Sequence, residues 1–152
     1  MPRPPIQNPR VYADGSALSR YLAGAPGGEA WRAWAAEHES ALVTTPLGIS
    51  ELRGIARGRD AAARAVAHDV ESRVQVLRFS DQTLRRATDV SSVLEPFVAL
   101  HLGAALAHPE VTAVATYDVS LARVAALYGL AVLTPGWPAR WWEADTTPWV
   151  RG

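Results

Sequence analysis

The chain has no cysteine and no lysine. Without thiols there is no disulfide framework and no thiolate metal site. Its four histidines (His38, His68, His101 and His108) are scattered and lack the spacing of a zinc site. Any metal held here therefore takes oxygen ligands. All 15 basic side chains are arginine, balanced by 15 acidic ones. A formal charge of zero excludes a general attraction to nucleic acid and leaves that task to a local basic patch. No apolar run approaches the roughly 20 residues that span a bilayer. The opening "MPRPPIQNPR" holds no apolar core of a secretory signal. The expected compartment is the cytoplasm, with no membrane partner.

What is present describes a soluble globular domain. The 152 residues are 49% apolar and 20% charged, enough for one domain with a real core. Residues 1–10, rich in proline, read as a flexible arm. A short apolar strand is expected at 11–14, followed by a helix at 17–23 that Ser16 can cap. A helix at 29–39 puts Trp31, Trp34 and Ala35 on one face. A strand at 41–45 leads to Pro46, which suits the first turn of a helix at 47–57. That helix turns Ile49, Leu52, Ile55 and Ala56 inward, with Glu51 at the edge of the stripe.

A helix at 61–72, a strand at 74–78 and a short helix at 81–88, capped by Ser80 or Asp81, come next. Residues 96–107 are apolar almost all round and predict a buried central helix. A strand at 113–116, a helix at 119–128 ending at Gly129, and a strand at 131–133 complete the alternation. Residues 135–152, with Trp137, Trp141, Trp142 and Trp149, read as an irregular extension. Its tryptophans serve either packing or a hydrophobic surface for a partner.

Strands alternating with helices imply an α/β fold: a parallel sheet with helices on both faces. In such sheets ligands bind beyond the carboxyl ends of the strands, where strand order reverses. Asp14 and Asp118 both stand at carboxyl ends of expected strands, and Glu51 can face the same cleft. Converging carboxylates with few basic partners suit Mg²⁺ or Mn²⁺. Taken alone, Asp14 and Asp118 read first as caps of the helices that follow them, and Glu51 as an ordinary helix-surface acid.

Four segments, in order, resemble the PIN domain and specifically the VapC-type toxin ribonucleases. These are "ADGSAL", "SEL" around Glu51, "ALHLGAAL" and "TYDVSLARVAALYGLAVLTP". The resemblance covers residues 11–134. It implies a PIN-like three-layer α/β/α fold with a five-stranded parallel sheet. It also implies a cleft for one or two Mg²⁺ or Mn²⁺ ions and cleavage of single-stranded RNA by a metal-activated water. Members usually form homodimers and are silenced by a small antitoxin.

By match, Asp14, Glu51 and Asp118 are the catalytic metal carboxylates, with Ser16 and Thr116 orienting ligands or water behind them. The departure is Val98, which stands where the family carries a further acid. Fewer carboxylates mean weaker metal binding. Glu95, one turn earlier on the same helix face, is a candidate replacement ligand, or else a cap. Two readings follow: a metal-dependent endoribonuclease toxin, or a catalytically impaired PIN-fold protein that binds RNA or an antitoxin. Arg53 and Arg57, four apart on the Glu51 helix, are candidate contacts to an RNA backbone. His101, one turn after Val98, is expected to be a packed core histidine, with general-base work as the rarer alternative.

Overall fold

The structure, a computed structural model, describes residues 5–144. The start of the proline-rich arm (1–4) and the end of the Trp-rich extension (145–152, with Trp149) lie outside the described residues. Five parallel strands form one sheet in the order β3-β2-β1-β4-β5. They are β1 (Arg10–Ala13), β2 (Leu42–Thr44), β3 (Gln75–Val76), β4 (Val111–Ala115) and β5 (Ala131–Leu133). Arg10 belongs to β1 rather than to the arm.

Side chains alternate across the sheet with period 2. Ala13, Leu42 and Ala115 point to one face, where they meet α1 (Gly15–Leu18), α2 (Gly28–His38), α3 (Pro46–Arg57) and α4 (Ala61–Arg73). Tyr12, Val43 and Val114 point to the other, against α5 (Asp81–Val90), α6 (Pro96–Ala107) and α7 (Val119–Leu127). The result is the expected three-layer α/β/α arrangement. Among the described residues no helix is long and apolar enough to cross a membrane.

Several elements differ from their expected form. Asp14, not Ser16, caps α1, which is a single turn continued by a 3₁₀ turn at Ser19–Tyr21. Ile55 lies on the exposed side of α3. β3 has two exposed residues at the sheet edge, where only one neighbour is available. The described part of the C-terminal extension carries a short α8 (Trp141–Ala144). Trp137 packs edge-to-face on Tyr117 and on Trp141. The Trp141 indole N–H donates to Thr134 Oγ1 at 2.8 Å. These tryptophans pack the extension against the end of the sheet.

The sheet order fixes where a site can form. From β1 the chain builds outward through β2 and β3, then returns to β4 on the opposite flank of β1. The reversal lies between β1 and β4, so a crevice opens beyond their carboxyl ends. Asp14 immediately follows β1, and Asp118 follows β4 by three residues.

Candidate active site

Asp14 and Asp118 are joined through Thr116. Thr116 donates its hydroxyl proton to Asp14 Oδ2 at 2.7 Å and accepts the Asp118 backbone N–H at 3.0 Å. Ser16 donates to Asp14 Oδ1 at 2.6 Å and accepts the Tyr117 N–H at 2.9 Å. Ser16 and Thr116 thus stitch the turns after β1 and β4 together and orient the Asp14 carboxylate.

Each aspartate also caps the helix after it. Asp14 Oδ1 accepts from Ala17 N at 3.0 Å, and Asp118 Oδ1 from Leu121 N at 2.9 Å. A carboxylate has about four lone-pair sites, so capping and metal binding do not compete. Asp14 is only 4% exposed. Its hydrogen-bond donors are two hydroxyls and an amide, all neutral. Burial raises its pKa above the ordinary aspartate value, against the opposing pull of His101 and of those hydrogen bonds.

Glu51 reaches the site from α3 and lies against Gly15. A Cβ at Gly15 would sit 2.3 Å from Glu51 Cβ and 2.7 Å from its Oε1. Only glycine allows this approach, which brings Glu51 beside the residue that follows Asp14. Glu51 Oε1 accepts the Gly15 N–H at 3.2 Å and faces His101 Nε2 at 2.5 Å. The Glu51 side chain remains 38% exposed.

Val98 is half-buried and packs against the core on the far face of the sheet. Glu95 occupies the N-cap position of α6, but its exposed side chain makes no capping hydrogen bond. His101 is buried, as expected of a core histidine, but it is not merely packed. It bridges Glu51 and Tyr12, whose hydroxyl lies 2.6 Å from Nδ1. The sequence reading missed Tyr12. The usable signal was that a histidine inside an apolar helix must find buried partners.

The donor set is entirely oxygen, which suits a hard cation. Among the described residues no group of three or more His, Cys, Asp or Glu side chains is gathered closely enough to hold a metal ion by itself. The residues instead offer oxygen donors to an ion that keeps several of its waters, as Mg²⁺ does. The buried Asp14 carboxylate with its neutral donors is the feature a cation would relieve.

Arg53 and Arg57 lie outside this cluster. With Arg64, His68 and Glu71 they line a groove of ≈ 290 Å³ between α3 and α4. Arg53 makes a two-pronged contact with Glu71, Nε to Oε2 at 3.0 Å and Nη2 to Oε1. Its charge is therefore already engaged.

The PIN domain family profile matches residues 11–136. The fold also resembles solved structures. One is VapC20 of Mycobacterium tuberculosis, described as a Sarcin-Ricin loop cleaving toxin. It has 13% identity and a TM-score of 0.65, with 82% of this chain and 99% of that chain covered. Another is FitAcB from Neisseria gonorrhoeae, with 18% identity and a TM-score of 0.65, covering 82% of this chain and 97% of that chain. No curated protein sequence matches this chain. The ordered motifs, the sheet order and the match over most of the chain together make this protein a member of the PIN domain family.

Proposed function

We propose that this chain is a metal-dependent endoribonuclease, the toxin of a toxin–antitoxin pair, hydrolysing RNA phosphodiesters at the crevice beyond β1 and β4. The observation that carries the reading is the linkage of Asp14 to Asp118 through Thr116, with Glu51 seated on Gly15 beside them. Asp14, Glu51 and Asp118 are the residues that would hold Mg²⁺ or Mn²⁺. Such an ion lowers the pKa of a bound water and stabilises charge on the leaving oxygen. Ser16 and Thr116 fix the Asp14 carboxylate, so its position is set before any ion arrives. The toxin description of VapC20 supports the biological class. A small antitoxin and a second copy of the chain are the partners this reading proposes.

The test is cleavage of a mixed-sequence RNA with Mg²⁺ or Mn²⁺. Asparagine caps helices as well as aspartate does. Asp14→Asn and Asp118→Asn therefore keep the capping oxygens while removing the charge and one acceptor oxygen. Each should lower cleavage by more than about 100-fold with the fold intact, beyond what disturbing an outer ligand costs. Full activity in both variants sinks the proposal.

Val98 favours a second reading, a PIN-fold protein that binds RNA or an antitoxin without cutting. It puts an apolar, half-buried side chain on α6 at the position where the family pattern carries an acid. Under that reading the chain binds RNA in the presence of Mg²⁺ and leaves it intact.

A further inference from the structure

The Glu51 carboxylate sits at one end of a buried polar chain that runs across three elements. His101 Nε2 lies 2.5 Å from Glu51 Oε1. His101 Nδ1 lies 2.6 Å from the Tyr12 hydroxyl, which is 3.0 Å from Thr45 Oγ1. Thr45 Oγ1 accepts the Gly48 N–H at 3.4 Å. Tyr12, Thr45 and His101 are all buried, while Glu51 alone is partly exposed.

With the imidazole neutral, donor and acceptor directions follow from one end. Oε1 already accepts the Gly15 N–H, and a carboxylate oxygen only accepts, so Nε2 carries the proton. In a neutral imidazole Nδ1 is then the acceptor and the Tyr12 O–H donates to it. Thr45 in turn donates to the Tyr12 oxygen. Every atom has its complement. Burial pushes the Tyr12 phenol far above its ordinary range, so it keeps the proton that it donates.

We propose that His101 is a positioning residue for Glu51, held in its Nε2–H form by Tyr12 and Thr45. The inference rests on the reading of Glu51 as a metal carboxylate. Glutamate has one more rotatable bond than aspartate, and this one is part-exposed. Untethered, it would have to be ordered by the ion itself. With Oε1 committed to Gly15 and His101, the carboxylate is ordered in advance. Among the described residues Oε2 takes no hydrogen bond and is left for a ligand. Val98 and His101 are three residues apart on α6 and share a face. In this chain α6 thus supports the cleft through an imidazole that holds Glu51, where Val98 supplies no charge.

The test is Mn²⁺ affinity of the full-length chain by calorimetry, with ¹⁵N shifts of His101 recorded on the metal-free protein. His101→Leu should weaken Mn²⁺ binding by about 10–100-fold. His101→Gln, whose amide can still donate to Oε1, should recover most of that loss. Tyr12→Phe should leave the fold intact, mix the His101 tautomers, and weaken Mn²⁺ binding by several-fold. A purely structural role would lower thermal stability in these variants without moving Mn²⁺ affinity or the tautomer. Affinity unchanged in His101→Leu and Tyr12→Phe, with Asp14→Asn abolishing binding, overturns the positioning role and leaves the metal site standing. No Mn²⁺ binding by the natural chain overturns both.

Discussion

At the scale of single residues, the site depends on one missing side chain. Gly15 lets α3 bring Glu51 against the turn that carries Asp14. Alanine at position 15 would collide with both the backbone-proximal Cβ and the carboxylate of Glu51. Gly15→Ala should therefore lower Mn²⁺ affinity and cleavage by at least about 10-fold, comparable to losing an outer-shell partner. Calorimetry and a cleavage assay would check this. Unchanged values would mean that Glu51 is not used.

Val98 makes the opposite test. It is half-buried at the end of the far core, one turn before His101. Val98→Asp restores a carboxylate one turn before His101 on α6 and should raise Mn²⁺ affinity and cleavage. Little change would mean that the three acids already suffice.

The acids were legible in the sequence because each marks a strand–helix junction, a local signal. The Tyr12–His101 contact was not legible, since 89 residues separate its partners. Ser16 was misassigned as a cap for a related reason. A serine and an aspartate two residues apart compete for the same helix start, and the carboxylate took it.

At the scale of elements, helices were easier to place than strands. α3, α4 and α6 start at a proline or a capping residue and carry a buried stripe, so their bounds are close to those expected. The two exposed residues of β3 carry no alternation to read.

A close helix contact, between α5 and α6, turns on Gly103. A Cβ there would meet Thr83 O at 2.6 Å and Ala87 N at 2.8 Å, both backbone atoms that cannot swing aside. Gly103→Ala must push the helices apart and should cost about 1–3 kcal/mol in urea unfolding. Gly54, inside α3, has nothing within 4 Å of its Cβ position. Gly54→Ala should stabilise by about 0.5–1 kcal/mol. Equal shifts in the two variants would contradict this packing.

Another element contact sets an acid limit. Glu39, after α2, accepts from Arg73 Nε of α4 at 2.8 Å and from the Tyr21 hydroxyl at 2.6 Å. Partial burial works against its ionisation, but Arg73 and Tyr21 outweigh it and lower its pKa. A depressed carboxylate contributes stability above its unfolded pKa and loses it as pH falls through the folded value. Glu39→Gln should therefore flatten the loss of stability below the ordinary glutamate range. An unchanged acid limb would mean that the pair is idle.

At the scale of the whole molecule, the sheet order gathers what the sequence holds apart. Asp14 and Asp118 are 104 positions apart, yet they flank the single reversal between β1 and β4. Alternation of strands and helices predicted the parallel sheet. The rule of carboxyl-end crevices then predicted where the acids meet. The state of the arginines was not predictable, because ion pairing depends on how α3 and α4 face each other.

The net charge is zero, so any hold on RNA must come from a local patch. The groove between α3 and α4 offers Arg53, Arg57 and Arg64, but Glu71 ties Arg53 down. On single-stranded RNA each neutralised phosphate contributes about −0.7 to the slope of log affinity against log salt. Arg57→Ala should weaken binding across sequences and flatten that slope by about 0.7, one phosphate's worth. Arg53→Ala should do less, since its charge is already balanced. Glu71→Gln removes the competing anion and should tighten binding and steepen the slope. Filter binding across a salt series separates these outcomes. Identical slopes for the natural chain, Arg57→Ala and Glu71→Gln would mean that the RNA crosses another face, and that this groove is only a solvated seam between two helices.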